Sequence, residues 1–285
     1  MPGAIGFIGF GEAGSTLAAA IRRRGADVAA HDIDADRVAA AGFPFLPLAE
    51  LVRGARCILS TVTTSAALSA ARSCLPFLGH GHVYVDLNST SPSVKIELER
   101  IVRPTGARFV EGAILGAIGV TGAATRILTG GPDGRAAAEE LTALGLRVEF
   151  YSEETGKAST FKMLRGIFSK GLEALILELL LAGRRAGIEE DLWADVAAFM
   201  AAHPFDRIAE NWLKTHPAAC ERRCHEMAQV TQTMREIGVD PLMTAATEDF
   251  FARSCRLGLG AAFPSRPDSM EAVAAALDRR LRDPS

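Results

Sequence analysis

In the first half of the chain, short unbroken apolar runs alternate with longer stretches in which apolar residues recur every three or four positions. Ala4-Ile5-Gly6-Phe7-Ile8, Cys57-Ile58-Leu59-Ser60-Thr61-Val62 and His82-Val83-Tyr84-Val85-Asp86-Leu87 predict strands covered on both faces. Runs over 27–31, 107–113, 125–131 and 147–151 predict four more, and 42–47 predicts one broken by Pro44 and Pro47. The intervening stretches predict helices over 15–24, 35–41, 48–53, 65–74, 93–102 and 134–144. Strands alternating with helices imply a doubly wound, mostly parallel sheet, an α/β Rossmann domain over 1–155.

From residue 156 the pattern changes and no convincing strand follows. Phe161, Leu164, Ile167, Phe168, Leu172, Leu175, Ile176, Leu179 and Leu180 keep helical spacing through 158–186. At about 1.5 Å per residue such a helix runs about 40 Å, enough to link the sheet to a second domain. Gly187 ends it, and further helices are predicted near 189–201, 204–214, 217–237, 241–257 and 268–281. Residues 156–285 therefore predict an all-α domain serving substrate binding and dimerisation. Its apolar surface exceeds what a thin bundle would expose, so a homodimer or higher homo-oligomer is expected.

Composition narrows the function classes. The 285 residues are 48% hydrophobic with a net charge of −3 and both signs interspersed, which disfavours nucleic acid and anionic membranes as partners. The most apolar helical run, 172–182, carries Glu173 and Glu178 and is too short to span a bilayer. The first residues already read as a strand, so no signal peptide is expected. Five cysteines without close-set pairs suit a reducing cytoplasm. His216, Cys220 and Cys224 share helical spacing, but Pro217 is predicted to open a helix that leaves His216 outside. The two thiols then read as packing residues, and no metal is expected.

The strongest candidate chemistry follows the first strand. Gly9, Gly11 and Gly14 have the spacing Gly-x-Gly-x-x-Gly, with Phe10, Glu12 and Ala13 between them and a helix former immediately after. In that setting the first glycine permits a tight turn, the second lets backbone approach a diphosphate, and the third lets helix and strand pack closely. The helix N-terminus then offers free N–H groups to the phosphates. Asp32 closes the next strand, eighteen residues after Gly14, where a carboxylate accepts ribose hydroxyls and repels a 2′-phosphate. NAD is thus the expected cofactor, while Arg37 keeps NADP possible. Thr61, Val62, Thr63 and Asn88 end later strands, where ligands of such sheets bind. For proton transfer the candidate is Lys162, one turn into the long helix and flanked by Phe161, Met163 and Leu164. Dry surroundings would lower its pKa and suit it to general acid/base work. The competing reading is an exposed lysine on an amphipathic helix.

Three segments occur in order: Gly6-Phe7-Ile8-Gly9-Phe10-Gly11-Glu12-Ala13-Gly14, Asp86-Leu87-Asn88-Ser89-Thr90-Ser91-Pro92, and Gly156-Lys157-Ala158-Ser159-Thr160-Phe161-Lys162. Together they resemble the β-hydroxyacid dehydrogenase superfamily, which includes 3-hydroxyisobutyrate and 6-phosphogluconate dehydrogenases. The resemblance implies NAD(P)-dependent interconversion of a hydroxy acid and its carbonyl form, with Lys162 at the catalytic lysine position. It also implies that Asn88 and Ser89 orient the substrate, and that Ile114, Leu115, Gly116 and Gly166 line its site. The family's Ser-Gly-Gly loop appears as Ile114-Leu115-Gly116, and its asparagine after the lysine is Gly166, which disfavours a small carboxylate held in the usual way. The stretch Glu221–Met227 resembles a less-characterised branch with a phosphogluconate-dehydrogenase-like helical end. Arg222, Arg223 or His225 there would hold an acidic substrate or, alternatively, form a solvated face with Arg222 paired to Glu226. Two other readings remain: an imine reductase, against which the lysine argues because such relatives commonly carry Asp or Tyr there, and a cofactor-binding protein without turnover.

Overall fold

The computed structural model describes residues 4–282. The chain divides into two compact units between Ile167 and Phe168. In the first unit, strands β1 (Ala4–Ile8), β2 (Val28–His31), β3 (Ala55–Ser60), β4 (Val83–Asp86), β5 (Arg108–Leu115), β6 (Arg126–Gly130) and β7 (Val148–Ser152) form one sheet of order β2-β1-β3-β4-β5-β6-β7. Neighbouring strands run parallel except β5 and β6. The exception follows from the connection. Residues between β5 and β6 form only the short helix α6 (Ile118–Thr121) and a 3-10 turn, too little for a crossover back to the starting edge.

Alternation along each strand splits the core between the two faces. Phe7, Leu59, Val85 and Val110 point to one side and meet Leu17 and Ile21 of α1 (Glu12–Arg23) and Leu141 of α7 (Gly134–Ala143). Ile8, Ile58, Tyr84 and Phe109 point to the other, where Leu51 of α3 (Leu48–Gly54), Ala71 of α4 (Ala67–Cys74) and Leu98 of α5 (Pro92–Val102) cover them. Each such buried side chain contributes about 1.5–3 kcal/mol, so both faces must be covered for the sheet to stand. α2 (Ala35–Ala40) follows β2, capped by the Asp34 side chain on the Arg37 N–H. The strand expected over 42–47 is absent. Pro44 and Pro47 have no N–H to give, and only one bridge, Ala30 to Phe45, forms.

Helix α8 (Lys157–Ala186) starts in the first unit and continues into the second, ending at Gly187 with φ +74°. The second unit continues with α9 (Glu189–Ala202), α10 (Phe205–Glu236), α11 (Leu242–Arg256) and α12 (Met270–Arg282). The two helices expected over 204–214 and 217–237 are one. Pro217 sits inside α10, and His216, placed outside a helix by the sequence reading, is helical and buried. An internal proline costs about 3 kcal/mol. Burial of Ile208, Pro217, Cys220 and Met234 along the same helix offsets that cost. His216 Nε2 lies 3.0 Å from Ser254 Oγ of α11, and burial pushes its pKa down. Among the described residues no group of His, Cys, Asp or Glu has the geometry to hold a metal ion, and no helix is long and apolar enough to cross a membrane. All five cysteines are free thiols.

Candidate active site

The strand order reverses direction at β1: the chain goes outward to β2, then returns to β3 on the other side. Such a switch leaves a crevice beyond the carboxyl ends of β1 and β3. A cavity of about 370 Å³ lies there, lined by Gly9, Gly11, Asp32, Thr61, Val62 and Thr63 among others. Its glycines have separate reasons to be bare. Gly9 has φ +84°, and a Cβ on it would lie 2.7 Å from the Thr61 carbonyl oxygen. A Cβ on Gly14 would lie 2.5 Å from the Gly9 oxygen and 2.7 Å from Thr61 Oγ1, whose hydroxyl donates to that same Gly9 oxygen at 2.6 Å. A Cβ on Gly11 would meet no protein atom within 4 Å, so no packing contact within the protein requires a glycine there. Gly11 is also the N-cap of α1 and brings no side-chain acceptor to the helix's first N–H groups. A bare backbone at a helix N-terminus, facing a cavity, fits a dinucleotide diphosphate.

Four expected cofactor residues are not on the cavity wall. Phe10 is buried against Phe43 at 5.1 Å, edge to face. Ala13 packs on the core, and Gly14 makes the close contact already described. The Glu12 carboxylate lies over Gly119, where a Cβ would come within 2.2 Å of its Oε1. Asp32 is on the wall but is largely committed to the protein. Its Oδ2 accepts from the Phe10 N–H at 2.5 Å and its Oδ1 from the Asp34 N–H at 2.9 Å, and it is 7% exposed. It therefore ties the glycine turn to the end of β2 while lining the cavity. Arg37 lies between two carboxylates, 3.7 Å from Asp32 and 3.4 Å from Asp34. Sequence reasoning missed the apolar side of the cavity, which includes Leu48, Ala66 and Ala70. The signal was present: Ala66, Ser69, Ala70 and Ser73 form one small-residue face at helical spacing.

Beyond the ends of β4 and β5 a second group assembles. Lys162 Nζ donates to Ser89 Oγ at 2.5 Å. Ser89 is exposed and Lys162 half-buried. The surroundings of Lys162 are less dry than expected, since Met163 and Leu164 are 39% and 59% exposed. Asn88 is buried instead of open: its Nδ2 donates to Ser60 Oγ at 3.0 Å and to Asp86 Oδ1, and its Oδ1 has no protein partner. Ile114 and Leu115 are not in a loop, because β5 runs on through both. Ile114 faces the main core, whereas Leu115 packs with Ala113, Leu128, Ala158 and Phe161 beside the start of α8. Gly116, at φ +122°, ends the strand, and a Cβ on Gly166 would meet open space.

Behind this group lies buried charge that sequence reasoning also missed. Lys95 is fully buried on α5, and its Nζ reaches Asp86 Oδ2 at 2.5 Å and the carbonyl oxygens of Asp86, Asn88 and Gly112 at 2.8–3.0 Å. Burial pushes the Asp86 carboxyl up, against the pull of Lys95. Glu111, also fully buried, accepts from the Gly156 and Ser159 N–H groups, each at 2.6 Å. In the second unit Arg222 pairs with Glu226 along α10, while Arg223 donates to the Trp212 oxygen and Thr215 Oγ1.

Residues 4–165 match the family described as the NAD binding domain of 6-phosphogluconate dehydrogenase. The chain belongs to that family. Residues 184–254 match a domain of unknown function, DUF1932. A conserved hypothetical protein from Sinorhizobium meliloti is 30% identical, over 98% of this chain and 97% of its own, with a TM-score of 0.59. A conserved protein of unknown function, described as structurally similar to 3-hydroxyacid dehydrogenases, is 28% identical over 96% and 99% of the two chains, also at 0.59. An imine reductase variant from Myxococcus stipitatus, in complex with NAD+, shares the fold at 18% identity and a TM-score of 0.79, over 99% and 100% of the two chains. Together they support an NAD(P)-dependent oxidoreductase.

The cradle gives a direct test. Gly14→Ala, which drives a methyl toward the Gly9 oxygen and Thr61 Oγ1, is expected to weaken NAD binding about tenfold or more, about 1.4 kcal/mol per decade. Titration calorimetry reads this, and unchanged affinity would place the diphosphate elsewhere.

Proposed function

We propose that the protein is an NAD(P)-dependent dehydrogenase/reductase interconverting a hydroxy acid, or a related alcohol, and its carbonyl form, with Lys162 as general acid/base. The observation that carries this reading is the 2.5 Å contact between Lys162 Nζ and Ser89 Oγ, two polar groups from different elements converging at the carboxyl edge of the sheet. The bound nicotinamide supplies hydride acceptance or donation. The chain supplies the proton path. Ser89 orients the substrate oxygen, and Lys162 takes the hydroxyl proton as a neutral amine or returns it as an ammonium in the reverse direction. Asn88 shapes this corner from beneath and Leu115 adds an apolar wall, which favours a substrate with some apolar bulk near its reacting carbon.

NAD is proposed over NADP. A 2′-phosphate beside Asp32 and Asp34 would meet two carboxylates, and the cation lining the cavity there, Arg37, is already engaged by both. A homodimer is proposed as well. The second unit exposes Trp193, Phe199, Trp212 and Phe250, each more than 40%, and α9 buries none of its residues within the chain. Apolar surface of that extent is ordinarily an interface.

Lys162→Ala should reduce turnover by about two orders of magnitude or more while NAD binding survives, in steady-state assays over β-hydroxy acids with cyclic imines as the contrasting panel. Unchanged turnover removes the lysine from the mechanism, and activity on the imines alone would replace the hydroxy-acid reading. Competitive titration should show NAD binding at least about tenfold more tightly than NADP, a difference of about 1.4 kcal/mol. The reverse preference would mean that Arg37 breaks from its carboxylates to meet the phosphate. Sedimentation equilibrium at micromolar protein should return twice the chain mass of 30.2 kDa, and a monomer would sink the dimer.

A further inference from the structure

The first turn of α8 is capped in an unusual way. Ordinarily the residue before a helix uses its own side chain to accept from the N–H three positions on, and the residue there returns a side-chain bond to the cap's N–H. Gly156, at φ +100°, has no side chain with which to do this. One carboxylate from a different element does both jobs: Glu111 Oε2 takes the Gly156 N–H and Oε1 the Ser159 N–H, each at 2.6 Å. The carboxylate is fully buried, so these are charge-assisted bonds in a medium that screens them little, placed where a helix favours negative charge. β6 makes room for it. A Cβ on Gly130 would lie 2.7 Å from Glu111 Oε2.

The neighbouring strand, on the same rung of the sheet, does the matching work for the other partner. Glu111 of β5 is in register with Asp86 of β4. Asp86, through Lys95 and Asn88, holds the turn that presents Ser89, and Thr64 Oγ1 donates to the Ser89 oxygen at 3.2 Å. Lys162 follows Ser159 by three residues, so both lie on one side of the helix, a turn apart. A shift of the capped turn moves Nζ relative to Ser89.

We infer that Glu111 is a positioning residue: its carboxylate fixes the first turn of α8 and thereby sets Lys162 Nζ against Ser89. The inference rests on the proposed role of Lys162 for its functional meaning, but the placement it asserts can be measured without turnover. Two variants of the full chain perturb the clamp differently. Glu111→Gln replaces one acceptor oxygen with an NH2 that faces a backbone N–H. Gly130→Ala keeps the charge and pushes a methyl into Oε2. The probe is the rate at which trace acetic anhydride acylates Lys162, read by peptide mass spectrometry against exposed Lys170 as internal standard.

In both variants Lys162 should be acylated severalfold faster, with NAD affinity retained. Turnover should fall about ten- to a hundredfold through kcat, with little change in KM. An unchanged Lys162 rate in both variants overturns the inference. Loss of NAD affinity in both also overturns it, because Glu111 would then be holding the whole unit and not one turn. If Lys162→Ala were to turn over normally, the proposed mechanism would fall, yet the acylation rates would still decide where Glu111 holds the lysine.

Discussion

A lysine ammonium with no exposure to water organises the end of the sheet beyond β4. Lys95 Nζ has three protons and four oxygens around it, one from the Asp86 carboxylate and three from backbone carbonyls, of Asp86 and Asn88 at the end of β4 and of Gly112 within β5. Desolvating an ammonium and a carboxylate costs several kcal/mol per ion, and their attraction repays this only when the geometry is good and the remaining donors are met. Removing either partner would leave an uncompensated buried charge, at about 3–5 kcal/mol. The three carbonyls therefore cannot drift apart. The turn from Asp86 through Thr90 is held to one path, and the exposed hydroxyl of Ser89 sits at its crest.

The sheet thus binds in two different manners along one edge. At the β1–β3 crevice the working surface is backbone, bare because side chains are forbidden at Gly9 and Gly14 and withheld at Gly11. At the β4–β5 end the working surface is side chain, and it is kept in place by buried ionic groups. The first manner suits a cofactor whose phosphates are the same whatever the reaction. The second suits proton transfer, in which a small displacement of a donor matters.

This difference also decided what could be read in advance. Glycine spacing, apolar alternation and helical period are visible in a string of letters, so the doubly wound sheet, the long helix and the crevice were legible. Pro44 and Pro47 correctly weakened the strand over 42–47, which shrank to a single bridge. Pro217 misled, because local propensity counts the lost hydrogen bond but not the buried face of α10 that outweighs it. Lys95 and Glu111 were invisible for a different reason. A lone cation on an amphipathic helix and a lone acid in a strand are read as solvated, since burying a charge is costly without a partner. Their partners, Asp86 and the α8 N-terminus, lie 9 and 45 or more residues away in the chain. Asp32 was half legible: its position pointed to a ribose, but its bonds to the Phe10 and Asp34 N–H groups could be found only in three dimensions.

Of the departures from the family pattern, Ile114 faces the main core, while Leu115 lies beside the first turn of α8 and Gly166 lies on that helix. Neither Leu115 nor Gly166 takes part in the hydrogen bonds of the Lys95 and Glu111 networks. Leu115 packs beside Ala158 and Phe161, next to the turn that Glu111 caps. Changes of this kind reshape a surface without disturbing the buried network behind it, and one fold can carry different functions. The imine reductase at 18% identity shares the fold over its whole length. Lys162 and Leu115 both lie near the first turn of α8, which is held by a clamp that neither of them makes.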